Sequence, residues 1–166
     1  VVCRGDPTEV AMVEFVEQVG GYEELRNKFQ QVGSRPFDAD AKYMSATSLT
    51  QGGTLYMTVK GAPDVIIDRC TEVFAEGLVR KFRANEKSKL EKQAEKYAGH
   101  GMRVLGLAYR VLDDVAEEAE KLVFVGFVAM VDPPRPEVPA AVVACKSAGI
   151  RIIVISGDKA ETVSYI

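Results

Sequence analysis

Histidine is almost missing from this chain: of 166 residues only His100 is one, and it stands between Gly99 and Gly101. A histidine-based metal cluster or a serine–histidine–aspartate triad cannot be built from that supply. Cysteine is scarce as well. Cys3, Cys70 and Cys145 are odd in number, far apart and without CxxC spacing, which fits buried free thiols in a reducing compartment better than disulfides or a redox pair. Long apolar runs are absent. Residues 122–131 reach about half of the roughly 20 residues that a membrane-spanning helix needs, so no segment reads as crossing a bilayer. An excess of positive charge is lacking too: 21 Lys plus Arg face 24 Asp plus Glu, for a formal net charge of -3. Nucleic-acid binding needs a concentrated positive face and is excluded as the expected role. No GxxxxGK[ST] loop and no GxGxxG after a strand occur, which removes the P-loop and dinucleotide readings. The chain opens on Val1-Val2-Cys3 without Met or a signal peptide and closes on Tyr165-Ile166 inside a helical pattern, so both ends read as cut.

What is present has room for one domain and part of another. Asp6-Pro7 followed by Val10, Val13, Val16 and Val19 predicts a capped amphipathic helix ending at Gly20-Gly21. Tyr22, Leu25, Phe29 and Val32 predict a second helix that runs to Gly33. The period then changes to two. Residues 42–49 and 54–60 flank Thr50-Gln51-Gly52-Gly53 and predict a β-hairpin, with Leu55, Met57 and Val59 on one face and Tyr56, Thr58 and Lys60 on the other. A short helix carrying Val65, Ile66 and Ile67 follows Gly61-Ala62-Pro63. A strand pair is expected around Glu76-Gly77, a charged helix over 84–98, and buried strands over 103–111 and 122–131, separated by the acidic stretch Asp113 to Lys121. Strands linked by hairpin-length turns and flanked by helices predict an α+β fold with an antiparallel sheet.

At Asp132-Pro133-Pro134-Arg135-Pro136 the prolines can continue neither a helix nor a central strand, and they mark a boundary. Residues 1–131 form the first expected domain and 132–166 a partial second one. In the second, a helix over 137–148, the apolar strand Ile150 to Ile155 and the turn Ser156-Gly157-Asp158 predict a βα unit of a parallel sheet, which a pair of strands could not stabilise alone.

Ser156, Gly157 and Asp158 fall where open α/β sheets place ligands, at the carboxyl end of a strand beside a helix N-terminus. The same tripeptide also describes an ordinary capped turn. Phe37 and Lys42 put an aromatic ring and an ammonium at the rim of the hairpin, where a flat base could stack and Lys42 and Lys60 could meet phosphate; a core ring with solvated lysines is the plain alternative. Glu9 suits a first helical turn through the dipole alone, and Arg103 could be a surface charge.

Taken in order, Gly5-Asp6-Pro7-Thr8-Glu9, Phe37 through Lys42 to Ser45, Lys60-Gly61-Ala62-Pro63-Asp64, Met102-Arg103-Val104-Leu105, Asp132-Pro133-Pro134-Arg135 and Ser156-Gly157-Asp158-Lys159 resemble the cytoplasmic catalytic region of P-type cation-transporting ATPases. The resemblance runs over essentially the whole chain. It implies a nucleotide-binding domain inserted into a haloacid-dehalogenase-like phosphorylation domain. By that resemblance Phe37 stacks on adenine, Lys42 lines the pocket, Lys60 with Gly61 lies deep in the ATP site, Glu9 is near the base, and Arg103 contacts the phosphates and helps bring the two domains together. Asp132 and Arg135 match the hinge motif. Ser156 to Asp158 match the phosphoryl-site motif TGD and its Mg²⁺, with Ser156 replacing Thr.

Ala39 departs from the resemblance, standing where calcium and sodium pumps commonly have Arg. The DKTGT segment with the phosphorylated Asp, the later Lys and the Gly-Asp-Gly-x-Asn-Asp metal site are not in the sequence. The chain is therefore expected to bind ATP, with Mg²⁺ in the intact enzyme, without forming the aspartyl-phosphate alone. His100 is followed by Gly rather than Pro, which disfavours heavy-metal pumps, and GAPDVIIDRC and VDPPRPEV favour the calcium type. The implied partners are the rest of the phosphorylation domain, the actuator domain and the membrane helices of the same polypeptide, with the fragment at the cytoplasmic face of a membrane. The alternatives are an interaction module that uses no nucleotide and the cap of a haloacid-dehalogenase-like phosphatase.

Overall fold

A computed structural model describes residues 5–115, 118–131 and 135–155. Helix α1 (Pro7–Gly20) opens as its sequence dictates: Pro7 supplies the first turn and Asp6 Oδ1 accepts from the Thr8 N–H at 2.9 Å. That hydrogen bond and the Thr8 hydroxyl hold the Asp6 carboxyl below its ordinary range. Helix α2 (Tyr22–Lys28) is shorter than the spacing predicts. At Phe29 the backbone turns extended, and β1 (Phe29–Asp38) takes over. Phe29, Gln30 and Gln31 pair with Thr50, Leu49 and Ser48 of β2 (Tyr43–Thr50), and the Phe29 ring meets the Tyr56 ring edge-on at 6.1 Å. Ladder bonds and ring contact outweigh the helical spacing of Phe29 and Val32, a tertiary override of local pattern.

The predicted hairpin forms: β2 pairs antiparallel with β3 (Leu55–Gly61), and Gly53, with φ 80°, makes the reversal. Helix α3 (Pro63–Arg69), the pair β4 (Cys70–Ala75) and β5 (Leu78–Lys81), helix α4 (Ala84–Gly99) and strands β6 (Arg103–Leu112) and β7 (Leu122–Met130) follow as expected. Among the described residues the sheet has seven strands in the order β1-β2-β3-β6-β7-β4-β5. Every pairing is antiparallel except β4 with β7. The fold is α+β, and the parallel pair joins the β4–β5 hairpin to the rest.

The core lies on the sheet face that carries Met57, Val59 and Ala108. Ile66 and Ile67 of α3 are fully buried against it, each side chain contributing about 1.5–3 kcal/mol by leaving water. Ile66 needs Gly106 beneath it, where an added Cβ would sit 3.0 Å from the Ile66 Cβ. Phe82 stacks on Phe124 at 5.5 Å and Phe124 meets Phe127 edge-on. Cys70 is fully buried in this cluster, and burial pushes its thiol up to about 12, leaving it protonated.

Helix α5 (Val138–Ser147) forms within the predicted span. The predicted strand Ile150 to Ile155 does not: these residues pair with no strand and are exposed, Ile155 at 93%. A buried parallel strand is stabilised by neighbours on both sides and helices on both faces. Among the described residues none takes those places. The parallel βα unit is thus not formed by the described residues, and Ser156, Gly157 and Asp158 lie outside them, as does Asp132.

Candidate nucleotide site

Three candidate residues meet at the first turn of α1. Lys60, next to last in β3, points to the face opposite Met57 and Val59, as the period of two predicts. There Lys60 Nζ donates to both carboxylate oxygens of Glu9. Arg103, at the start of β6, donates from Nη1 to the Thr8 hydroxyl at 2.6 Å. Adjacent residues of one helical turn therefore hold cations from two different strands. The capping by Asp6 fixes the direction of that turn, and the helix N-terminus adds its own positive end.

Phe37 and Lys42 occupy the neighbouring corner. Pro36 has no N–H to offer the ladder, and the β1–β2 pairing breaks there: Arg35 faces Ser45, Asp38 faces Tyr43, and Pro36 and Phe37 together oppose Met44. The bulge leaves Phe37 62% exposed. The plain alternative, a core phenylalanine, is ruled out by that exposure. Met44 in turn pairs with Lys60. Phe37 thus shares a row with Lys60, two strand spacings away, or about 9–10 Å.

The turn between Phe37 and Lys42 is built by Asp38, whose Oδ1 accepts from the Asp40 N–H at 2.9 Å and the Ala41 N–H at 2.7 Å. Its carbonyl accepts from the Lys42 N–H at 2.7 Å. Lys42 takes a left-handed φ of 58°, a conformation that costs about 1–3 kcal/mol and persists where the surroundings impose it. The Lys42 carbonyl accepts from the Ala62 N–H at 2.9 Å, which fastens the turn to the segment after β3. Gly61 makes this close approach possible: an added Cβ would lie 2.4 Å from the Lys42 carbonyl oxygen and 2.6 Å from the Tyr43 Cβ.

Two supports of the site are not evident from the sequence motifs. Thr8 stands beside Glu9 in the same turn, and its hydroxyl was the available signal. The acidic stretch before β7 fastens the sheet: Glu118 accepts from both Arg35 guanidinium nitrogens at 2.8 and 3.1 Å, and Glu120 pairs with Arg69, whose guanidinium lies 4.6 Å over the Tyr43 ring. Arg35 holds the Glu118 carboxyl below its ordinary value.

Arg135 is described and exposed, remote in sequence from this cluster, its carbonyl accepting from the Val138 N–H at 2.9 Å. Two cavities among the described residues, of about 330 and 390 Å³, include none of Glu9, Phe37, Lys60 or Arg103 in their linings.

Residues 1–137 match the family described as P-type ATPase, cytoplasmic domain N. The chain is 37% identical over 168 residues to calcium-transporting ATPase 1 of Lactococcus lactis and 39% identical over 168 residues to a calcium-transporting ATPase of Listeria monocytogenes, each match covering 98% of this chain. It is 35% identical over 179 residues to the sodium/potassium-transporting ATPase subunit alpha-1 of Oreochromis mossambicus, again over 98% of this chain. The chain spans 18–19% of the length of these relatives.

Proposed function

Since the chain belongs to the P-type ATPase cytoplasmic domain N family, we propose that it is the ATP-binding domain of a cation-transporting ATPase that couples ATP hydrolysis, through an aspartyl-phosphate elsewhere in the polypeptide, to ion transport across a membrane. The observation that carries this reading is the exposed Phe37 ring in one ladder row with Lys60. An aromatic platform beside a cation suits a ligand with a flat base at one end and phosphates at the other. Phe37 takes the base, and Lys42, Lys60 and Arg103 face the phosphates, with Gly61 keeping the Lys42 turn close. Glu9, which the resemblance puts near the base, holds the Lys60 ammonium beside the first turn of α1.

Residues 1–131 constitute this domain. The segment from Asp132, with Arg135 in the hinge and Ser156, Gly157 and Asp158 at the phosphoryl site, belongs to a haloacid-dehalogenase-like phosphorylation domain. The described carboxylates at the site do not fit a resident Mg²⁺, because Asp6 and Glu9 are engaged by Thr8 and Lys60; Mg²⁺ accompanies the nucleotide phosphates. Catalysis in the whole enzyme is then mainly positioning and charge stabilisation. Calcium is the proposed ion, in line with the names of the bacterial relatives. No described helix is long and apolar enough to cross a membrane. The bilayer-spanning helices, the actuator domain and the rest of the phosphorylation domain are the proposed partners, at the cytoplasmic face of a membrane.

Backbone amide shifts during titration with ATP test this reading. Shifts should cluster on Phe37, Lys42 and Lys60 and disappear in Phe37→Ala. Silence at millimolar ATP would favour a module that uses no nucleotide.

A further inference from the structure

On the opposite side of the sheet a cavity of about 390 Å³ opens between α3, α4 and β6. Its lining is apolar at Pro63, Ala94, Ala98 and Val104 and acidic at Asp64, Glu91 and Glu95. The α4 sequence produces this arrangement. Glu91, Ala94, Glu95 and Ala98 recur at i, i+3, i+4 and i+7 and share one face, while Lys89, Lys92 and Lys96 are exposed away from the lining. Among the described residues the ion pairs leave all three lining carboxylates out. Glu91 and Glu95, four residues apart, also repel each other, an arrangement that does not favour the helix itself.

We propose that this groove docks a lysine- or arginine-rich amphipathic segment of a protein, whose apolar side chain meets the apolar lining at Ala94 and Val104 while its cations meet Asp64, Glu91 and Glu95. Charge complementarity selects the occupant: an apolar lining alone would accept any hydrophobic segment, and three unpaired carboxylates beside it reject acidic ones. The alanines at 94 and 98 leave room for a partner backbone to approach closely, the geometry of a helix lying in a groove. The site is separate from the proposed nucleotide face, so it stands or falls independently of ATP binding.

The probe is a short fluorescent peptide of lysine, leucine and alanine with helical spacing, compared with its counterpart carrying glutamate in place of lysine. The lysine peptide should bind, shift the amides of Ala94, Ala98 and Val104, and weaken as salt rises. Glu91→Gln with Glu95→Gln should weaken it at least tenfold, and so should Ala98→Trp, which fills the groove from an exposed position. Lys60→Ala should leave it unchanged. Equal binding of both peptides, shifts elsewhere, or indifference to both groove variants when circular dichroism shows them folded overturns the proposal. Spermine binding as tightly as the peptide also overturns it, in favour of a small organic cation; self-association abolished by Ala98→Trp overturns it in favour of a second copy of this chain.

Discussion

Gly61 has no side chain and yet constrains the site more tightly than the residues around it. It is buried and faces Tyr43 on one side and Gly106 on the other. The 2.4 Å separation between a would-be Cβ and the Lys42 carbonyl leaves nothing flexible to yield, because the obstacle is backbone. Gly61→Ala should therefore destabilise the chain by about 1–3 kcal/mol in urea unfolding, as overpacking does. It should also displace the Lys42 amide resonance in the spectrum of the folded protein. An unchanged midpoint with an unchanged Lys42 resonance would show that the turn has slack. The requirement is steric, so a motif reading names Gly61 but cannot give its reason: the carbonyl it accommodates is nineteen residues away in sequence and adjacent only through the β2–β3 register.

At the scale of elements, α4 shows how a helix start is tied to its surroundings. Glu86 accepts from the Arg83 N–H at 3.1 Å and from both guanidinium nitrogens of Arg80 at 3.0 and 2.7 Å. The Arg80 bond first, then the Arg83 N–H, lower its carboxyl from 4.5 to about 2. A depressed folded value stabilises above the unfolded one, so this contribution is complete above about pH 4.5 and is lost as pH falls toward about 2. Glu86→Gln should lower the thermal midpoint at neutral pH, and its difference from the parent should shrink across that window; a constant difference would exclude the linkage. This helix was legible because its charge pattern and its glycine terminator are local signals. The hairpins were legible for the same reason. Phe29 to Val32 misled because their spacing satisfies a helix, while what makes them strand is the β2 edge and the Tyr56 ring, which no local window contains. Ile150 to Ile155 misled in the reverse sense: the local pattern is that of a buried strand, but burial must be supplied by neighbours. At the candidate site, the motifs identified Glu9, Lys60 and Arg103 separately. That α1 gathers them could not be read, since it depends on which strand ends lie under its first turn.

Across the whole molecule, stability is unevenly distributed. Helix α1 has no buried residue, and Phe15 and Val19 on it are 57% and 67% exposed, whereas α3 buries two isoleucines completely. The polar attachments of α1 to the sheet run through Lys60 to Glu9 and Arg103 to Thr8, and its apolar Val10, Met12, Val13 and Val16 are only half-buried. Such exposed pairs are worth roughly 0–1 kcal/mol. Amide hydrogen exchange should accordingly proceed through α1 well before α3 and β6, and ATP should slow it at α1 if the nucleotide face is the one described. Exchange from α1 as slow as from α3 would contradict this ordering. The strand order has a consequence of a different kind. Strand β7 lies between β6 and β4, so the Cys70–Lys81 hairpin has no place in the sheet until Leu122–Met130 exists. On a ribosome adding about 5–20 residues per second, that hairpin waits seconds for its partner. Among the described strands, the last one made is the one that closes the sheet.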